Sequence, residues 1–430
     1  MKTLILSDLH LGPEGATPIY AGDDALPALI RAQGNPLRVI LNGDTFDLLL
    51  DDRPLVLDPA GAAERVQSCL TSATGAKLLA ALGAVLDGDG EVLIRAGNHD
   101  LELALPSVQR AVRDTFASRG HRTGKLAFSD QELPLELEAG PYKVLVTHGE
   151  QDDAFNRWRF DEVVAAESSP ASFKYPAGSM LVKDILNPLK REMRFLDLLK
   201  PDFQGAILTA LAVNPTAARQ VIDPATLSII KTFVASALDG APFPGIDGKG
   251  FAEPISDAKL GSDEAIEVLL LLDDGGAFAS GTPGLLRRAL DKLGRAALNV
   301  YARFHRRVTG RSGELFFTTD PSDSEWEEVK RLATKFGANI VVSGHTHARR
   351  RQLADGIAYV NTGTWIELLQ LPAHDAPIED WTAFLAELKA DPMLERSQRV
   401  GLRGSACLID PEAADLEHAA VLLECDGPRA

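Results

Sequence analysis

Five short turns in this 430-residue chain carry the side chains best suited to chemistry. They are Asp8-Leu9-His10, Gly43-Asp44-Thr45-Phe46-Asp47, Gly97-Asn98-His99-Asp100, His148-Gly149 and Gly344-His345-Thr346-His347, and they hold five of the nine histidines. Imidazole combined with carboxylate and amide oxygen suits Mn, Fe, Zn or similar divalent ions, and no thiolate joins the set. Two such ions about 3.5–4 Å apart hold the attacking and leaving oxygens of a phosphoryl displacement. A carboxylate reaching both ions fixes that spacing. Asp44 is the natural bridge, because the glycine before it lets the backbone come close to the ions.

The elements that position these turns are short apolar runs. Thr3 to Leu6, Arg38 to Leu41, Glu91 to Ala96, Lys143 to Val146 and Asn339 to Val342 each stop at one of the polar turns. Runs of that length, β-branched or leucine-rich and ended by Gly or polar residues, read as buried strands. Helix-like stretches such as Gly75 to Leu86 lie between several of them, which indicates layered α/β architecture. Ligands of open α/β sheets bind beyond the carboxyl ends of the strands. Five strands here deliver Asp, Asn or His at that place.

Residues 165–330 have a different texture. Leucine-rich helical patterns (Leu181, Ile185, Leu189, Met193 and Leu196; Ala265 to Leu272; Leu285 to Tyr301) alternate with Pro/Gly-rich breaks at Ala241 to Gly250. The expected organisation is a catalytic core in two parts, 1–164 and 331–430, split by a mostly helical insertion or cap at 165–330. A polar helix over Asp380 to Leu388 and closing strands at Ser405 to Ile409 and Ala419 to Leu423 complete it.

Composition narrows the function classes. The chain carries 61 Asp+Glu against 44 Lys+Arg, a net charge of −17, with 45% apolar residues. A large core is buried at that apolar content. A broad nucleic-acid binder needs clustered surplus cations to displace phosphate counterions, so nucleic acid is disfavoured as partner. Three scattered cysteines (Cys69, Cys407, Cys425) argue against a disulfide framework and suit a reducing compartment. Only a very short apolar stretch precedes Ser7-Asp8, too brief for a secretion signal, and no run reaches the ~18 apolar residues of a membrane span. A cytoplasmic location is expected.

This ordered set of five turns resembles the calcineurin-like metallophosphoesterase superfamily, over roughly residues 1–160 and 335–370. The resemblance implies a layered β-sandwich flanked by helices and two divalent metal ions, Mn foremost, with Fe, Zn or Ni as alternatives. It assigns Asp8, His10 and His347 to one ion, Asn98, His148 and His345 to the other, and Asp44 to both. His99 would face a phosphate-ester substrate as general acid or oxygen donor, with Asp100 orienting its ring. Hydroxide generated at the ion pair would attack phosphorus in line. Asp47 reads either as a partner behind His10 or as a helix N-cap.

Two segments, Asp44-Thr-Phe-Asp47-Leu-Leu and Asn361-Thr-Gly363-Thr-Trp365, are similar to the branch containing UDP-2,3-diacylglucosamine pyrophosphatases. That likeness points to a nucleotide-sugar or lipid-linked substrate. Those enzymes commonly carry Arg where this chain has His99, and they are much shorter. Gln151, Asp153 and Asn156 follow the histidine turn and are candidates for lining the substrate pocket, a polar loop with an Asn cap being an equally good account.

Lys183, Lys190, Arg191, Arg194 and Lys200 accompany the apolar stripe Leu181 to Leu196, a pattern that fits either peripheral contact with an anionic inner-membrane surface or packing on the core. Pro188 and Pro201 interrupt it. His305, within Arg303-Phe304-His305-Arg306-Arg307, reads as part of a solvated helix face, with contact to a substrate phosphate as the alternative; His121, His374 and His418 lack supporting neighbours and read as surface residues. A nuclease of the same superfamily and a non-catalytic interaction module are the other classes considered. Oligomeric state is not encoded legibly.

Overall fold

The computed structural model describes residues 1–14, 19–50, 53–129, 134–153, 156–198, 209–210, 213–214, 323–372 and 376–428. Most of 165–330, including His305 and the patterns from Ala265 onward, and likewise Lys200, Pro201 and His374, lie outside the described residues. The chain divides into two compact units. The first comprises 1–183, 318–367 and 401–430, and the second 184–317 and 368–400.

In the first unit, β1 (Lys2–Leu6), β2 (Leu37–Asn42), β3 (Glu91–Arg95) and β4 (Leu126–Phe128) run parallel in sequence order. The closing strand β11 (Val400–Ile409) lies antiparallel to β1, and β12 (Ala420–Pro428) pairs with the other side of β11. A second sheet holds β5 (Leu135–Ala139), β6 (Tyr142–Val146), β7 (Ile340–Ser343), β9 (Ile357–Asn361) and β8 (Arg350–Ala354), in that spatial order. Strands β6, β7 and β9 are parallel and the outer pairs antiparallel. β10 (Glu367–Leu369) begins where this unit's middle segment ends.

Side-chain alternation explains the layers. Successive strand residues point to opposite faces. Ile5 and Ile40 from the first sheet meet Val144, Val146, Ile340, Val342 and Val360 from the second in one core. Their neighbours Leu4, Leu6, Val39, Leu41, Val92 and Ile94 face the other way. They pack in a cluster with helices α1 (Ala25–Ala32), α2 (Pro59–Thr71), α3 (Ala73–Asp87) and α4 (Pro106–Ser118). On the far side Leu145, Val341 and Tyr359 cover Val329 and Ala333 of α5 (Asp323–Phe336). The result is a helix–sheet–sheet–helix sandwich, the architecture expected from the sequence.

Both helices α2 and α3 begin on a capped residue: Asp58 accepts from Gly61 N–H and Ser72 from Gly75 N–H. Such caps satisfy otherwise orphaned amides. Among the described residues no single helix is long and apolar enough to cross a membrane. His121 is not a free surface residue, since its Nδ1 lies 2.8 Å from Asp87.

The stretch from Ala177 is helical to Lys190, with a π-helical turn at Val182–Leu186 immediately before Asn187-Pro188. Proline lacks the N–H that regular i→i−4 bonding requires, and a widened turn accommodates this. In the second unit Ile185, Leu189, Met193 and Leu196 are buried, and Lys190 pairs with Asp197. The apolar side of this stripe is therefore covered by protein. The unit also contains α6 (Ile378–Ala390), which buries Trp381, Phe384, Leu385 and Leu388; Arg399 stacks over Phe384 at 5.2 Å and bonds Glu387 at 2.9 Å.

Candidate metal centre

All five polar turns converge in the first unit. Within the described residues, the groups of His, Cys, Asp or Glu close enough to share a cation are three: Asp8/His10/His347, His10/Asp44/His99 and Asp44/His148/His345. The first and third coincide with the two ligand sets implied by the family resemblance, less the non-acidic Asn98. The second adds His99, which that resemblance does not count as a ligand.

Convergence is bought with backbone conformation. Asp8 (φ 55°), His10 (φ 51°), Asp44 (φ 50°), His345 (φ 66°) and His347 (φ 59°) all occupy the left-handed region. Non-glycine residues rarely do so, and such outliers cluster at functional sites where the surroundings over-determine them. Here the surroundings are hydrogen bonds between turns. Asp8 N–H donates to Gly43 C=O (3.1 Å), His10 N–H to Asp44 C=O (3.0 Å) and Trp365 N–H to Asp8 C=O (3.0 Å). His345 N–H reaches Asp8 Oδ2 at 3.0 Å and His99 N–H reaches Asp44 Oδ1 at 2.9 Å.

Two glycines make room for the ligands. A Cβ on Gly43, whose φ is +87°, would strike the His148 ring, and one on Gly97 would strike the Asp44 carboxylate. Gly97→Ala is therefore expected to displace Asp44, destabilising the fold by roughly 1–3 kcal/mol as an overpacked site and weakening cation binding. A thermal melt with and without Mn²⁺ checks this: wild type is stabilised by the ion, and the variant less so.

The donor atoms themselves test whether cations fit. His10 Nε2 and His347 Nε2 lie 3.2 Å apart, His347 Nε2 and Asp8 Oδ1 3.2 Å, and His148 Nε2 and Asp44 Oδ2 3.4 Å. Ligands each about 2.0–2.2 Å from one ion are separated by roughly this much. His148 Nδ1 sits 2.7 Å from Asn42 C=O and donates to it, which leaves Nε2, facing Asp44, as the ring atom available to a cation. Asn98 Oδ1 and His148 Nε2 are buried with no hydrogen-bond partner. Burying such atoms unsatisfied is costly, and a divalent ion between them removes the cost. The residues fit the pair of ions.

Electrostatics agree. Burial raises the Asp8 carboxyl, but His347 and His148 outweigh it and hold it at about 2. Burial likewise opposes ionisation of Asp44, yet His148 and His99 hold it well below the usual carboxylate range. Burial and then His99 push His10 well below an ordinary imidazole, keeping its lone pair free. Burial would lower His148, but Asp44 and Glu150 pull it well above normal. Asp8 and Asp44 are thus held as carboxylates beside an uncharged His10, a donor set suited to a cation.

His99 is 15% exposed, the most open of the side chains around Asp44 and His10, and its ring stands edge-on to His10 at 4.6 Å. The expected support by Asp100 is corrected. Asp100 accepts from the backbone N–H groups of Thr45 (2.8 Å), Phe46 (3.0 Å) and Gly97 (2.7 Å), stapling two ligand turns together. Burial and the nearby Asp44 raise its carboxyl to about 7. The ring partner of His99 is instead Asp47, whose Oδ1 lies 3.2 Å from His99 Nδ1. Asp47 is thus neither an N-cap nor placed only behind His10.

The 361–365 segment has a role that sequence reasoning did not assign. Asn361 Nδ2 donates to Gly344 C=O and Thr346 Oγ1, Thr362 Oγ1 meets Ser7 Oγ at 2.6 Å, and Thr364 Oγ1 donates to Asp8 C=O at 2.8 Å. It ties the Asp8 turn to the His345 turn. Its dense run of small hydroxyls beside a tryptophan is the signal that marks it.

No protein-family model matches the chain, and no curated protein matches it. Among solved structures, a dimetal phosphatase from Danio rerio aligns with 100% of this chain and 99% of its own, at 10% identity and a TM-score of 0.30. The phosphopantetheinyl hydrolase from Mycobacterium tuberculosis aligns with 84% of this chain and 89% of its own, at 11% identity and a TM-score of 0.25. Similarity at that level transfers neither substrate nor residue roles.

Proposed function

We propose that this chain is a metal-dependent phosphoesterase of the calcineurin-like type, hydrolysing a phosphodiester or pyrophosphate bond. One observation carries the reading: two three-residue donor groups, the buried Asp8/His10/His347 and the largely buried Asp44/His148/His345, meet where Asp44 faces both His10 (3.9 Å) and His148 (3.4 Å). Asn98 completes the second group. When bound, two divalent ions at such a site lower the pKa of water and neutralise phosphoryl charge.

The chain's own residues supply the rest. Asp8, His10, Asp44, Asn98, His148, His345 and His347 hold the ions, with Mn²⁺ the first choice. The left-handed turns and their interlocking hydrogen bonds keep these donors fixed, so little reorganisation accompanies the reaction. His99, held at Nδ1 by Asp47, presents Nε2 to the substrate, where it protonates the leaving oxygen or donates to a phosphoryl oxygen. Residues 165–330 split this core as an insertion. A nucleotide-sugar or lipid-linked pyrophosphate is the proposed substrate class, in a cytoplasmic protein.

A screen with Mn²⁺ against a bis-aryl phosphodiester, an aryl monoester, a nucleotide-sugar pyrophosphate and single-stranded DNA tests the reading. Chelator-sensitive cleavage of the diester or pyrophosphate is expected. Inactivity on all four with Mn²⁺, Fe²⁺, Zn²⁺ and Ni²⁺ supplied would sink it.

A further inference from the structure

Gln151, Asp153 and Asn156 follow the His148 turn, and their contacts point inward, to ligands and backbone. Gln151 Oε1 accepts from Gly149 N–H and Thr147 Oγ1, both at 3.2 Å, fixing the backbone on either side of His148. Asp153 Oδ2 lies 3.2 Å from His345 Nε2 and accepts from Asn156 Nδ2 at 2.6 Å. Asn156 Oδ1 in turn accepts from Asn98 Nδ2 at 3.5 Å. An unbroken polar chain, His345–Asp153–Asn156–Asn98, therefore joins two of the three side chains that complete the second cation site with Asp44.

We infer that Asp153 and Asn156 are positioning residues for the second cation, not substrate-binding groups; the inference rests on the two-ion reading above. Two orientations follow from it. An asparagine amide has one acceptor and two donors on its two ends. Because Asn98 gives Nδ2 to Asn156, its buried and otherwise unpartnered Oδ1 is the end left for the ion. His345 has the same logic. Its Nε2 proton goes to Asp153, so the lone pair on Nδ1 serves the cation, in the carboxylate–histidine–metal arrangement that sets ligand tautomer and basicity. Asp153 sits at the centre, holding His345 directly and Asn98 through Asn156. Asp153 is 32% exposed against 14% for His345, and Asn156 is half-buried where Asn98 is buried, which suits an outer brace.

Removing such outer partners costs about 10–100-fold in metal affinity. The test titrates metal-stripped full-length chain with Mn²⁺, following heat and the spin-coupled EPR signal of an ion pair, for wild type, Asp153→Ala, Asn156→Ala and the milder Asp153→Asn. Expected is a wild type that binds two coupled ions. In both alanine variants the first ion binds as in wild type and the second about 10–100-fold more weakly, with the coupled signal returning at high Mn²⁺. Asp153→Asn, which keeps an acceptor oxygen, falls between. Steady-state KM for substrate at saturating Mn²⁺ stays near wild type in all three. A wild-type second-site affinity in both alanine variants, with KM raised instead, overturns the inference and leaves the two-ion reading standing. A wild type that binds no ion pair overturns both.

Discussion

Asp44→Asn is expected to bind at most one Mn²⁺ and to lose turnover by about 10³-fold or more. The magnitude follows from the work asked of one carboxylate. Its Oδ2 faces His148 at 3.4 Å and His10 at 3.9 Å, so it reaches from its own donor group with His148 and His345 to a member of the other one, the place of a bridge in the proposed ion pair. A bound cation contributes several kcal/mol of transition-state stabilisation, and each 1.36 kcal/mol is a factor of ten. The amide keeps the shape but not the charge, and it offers one poor acceptor in place of two strong ones. Asp44 Oδ1 also receives the His99 N–H at 2.9 Å, so the His99 turn loses an anchor as well. Metal content by elemental analysis and kcat on a diester check it together. Two ions retained with turnover within tenfold of wild type would contradict the bridging role.

His99→Ala is expected to keep both ions and lose ~10²–10⁴-fold in rate, the usual contribution of a positioned acid. The ring is partly open to solvent while its neighbours are buried, and Asp47 fixes its Nδ1 end. In the proposed reading Nε2 is the atom that meets the substrate. His99 also lies close enough to His10 and Asp44 to share a cation with them. The metal measurement therefore decides between two roles. Loss of one ion in this variant makes His99 a ligand; retention of both with the rate collapse makes it the acid or oxygen donor. A leaving group of low pKa should recover much of the lost rate in the acid case, since it needs no proton.

The core strands were legible because their alternation serves two apolar faces at once. Leu4-Ile5-Leu6 must satisfy helices on one side and the second sheet on the other, so the run is continuously apolar and ends sharply at Ser7. β8 was not legible. Its sequence Arg-Arg-Gln-Leu-Ala has no strand pattern of its own and is strand through its antiparallel pairing with β9. β4 is three residues long and is defined by its register against β3. Neither signal exists locally. The donor set was readable from residue types at strand ends, but which acidic residue serves which partner was not. Asp100 adjoins His99 in the chain, whereas Asp47 stands in another motif far from it. The left-handed turn at Asp44 presents the amides of Thr45 and Phe46, which Asp100 captures, and Asp47 faces the imidazole. Those exchanges depend on turns meeting across the sheet, a tertiary fact that spacing along the chain does not encode.

The most direct test of the account is an anomalous difference map from crystals grown with Mn²⁺. Two peaks about 3.5–4 Å apart, one among Asp8, His10 and His347 and the other among Asn98, His148 and His345, with Asp44 between them, are the predicted result. A map with no peak among these side chains at saturating Mn²⁺, or with its strong peaks elsewhere on the molecule, would contradict it.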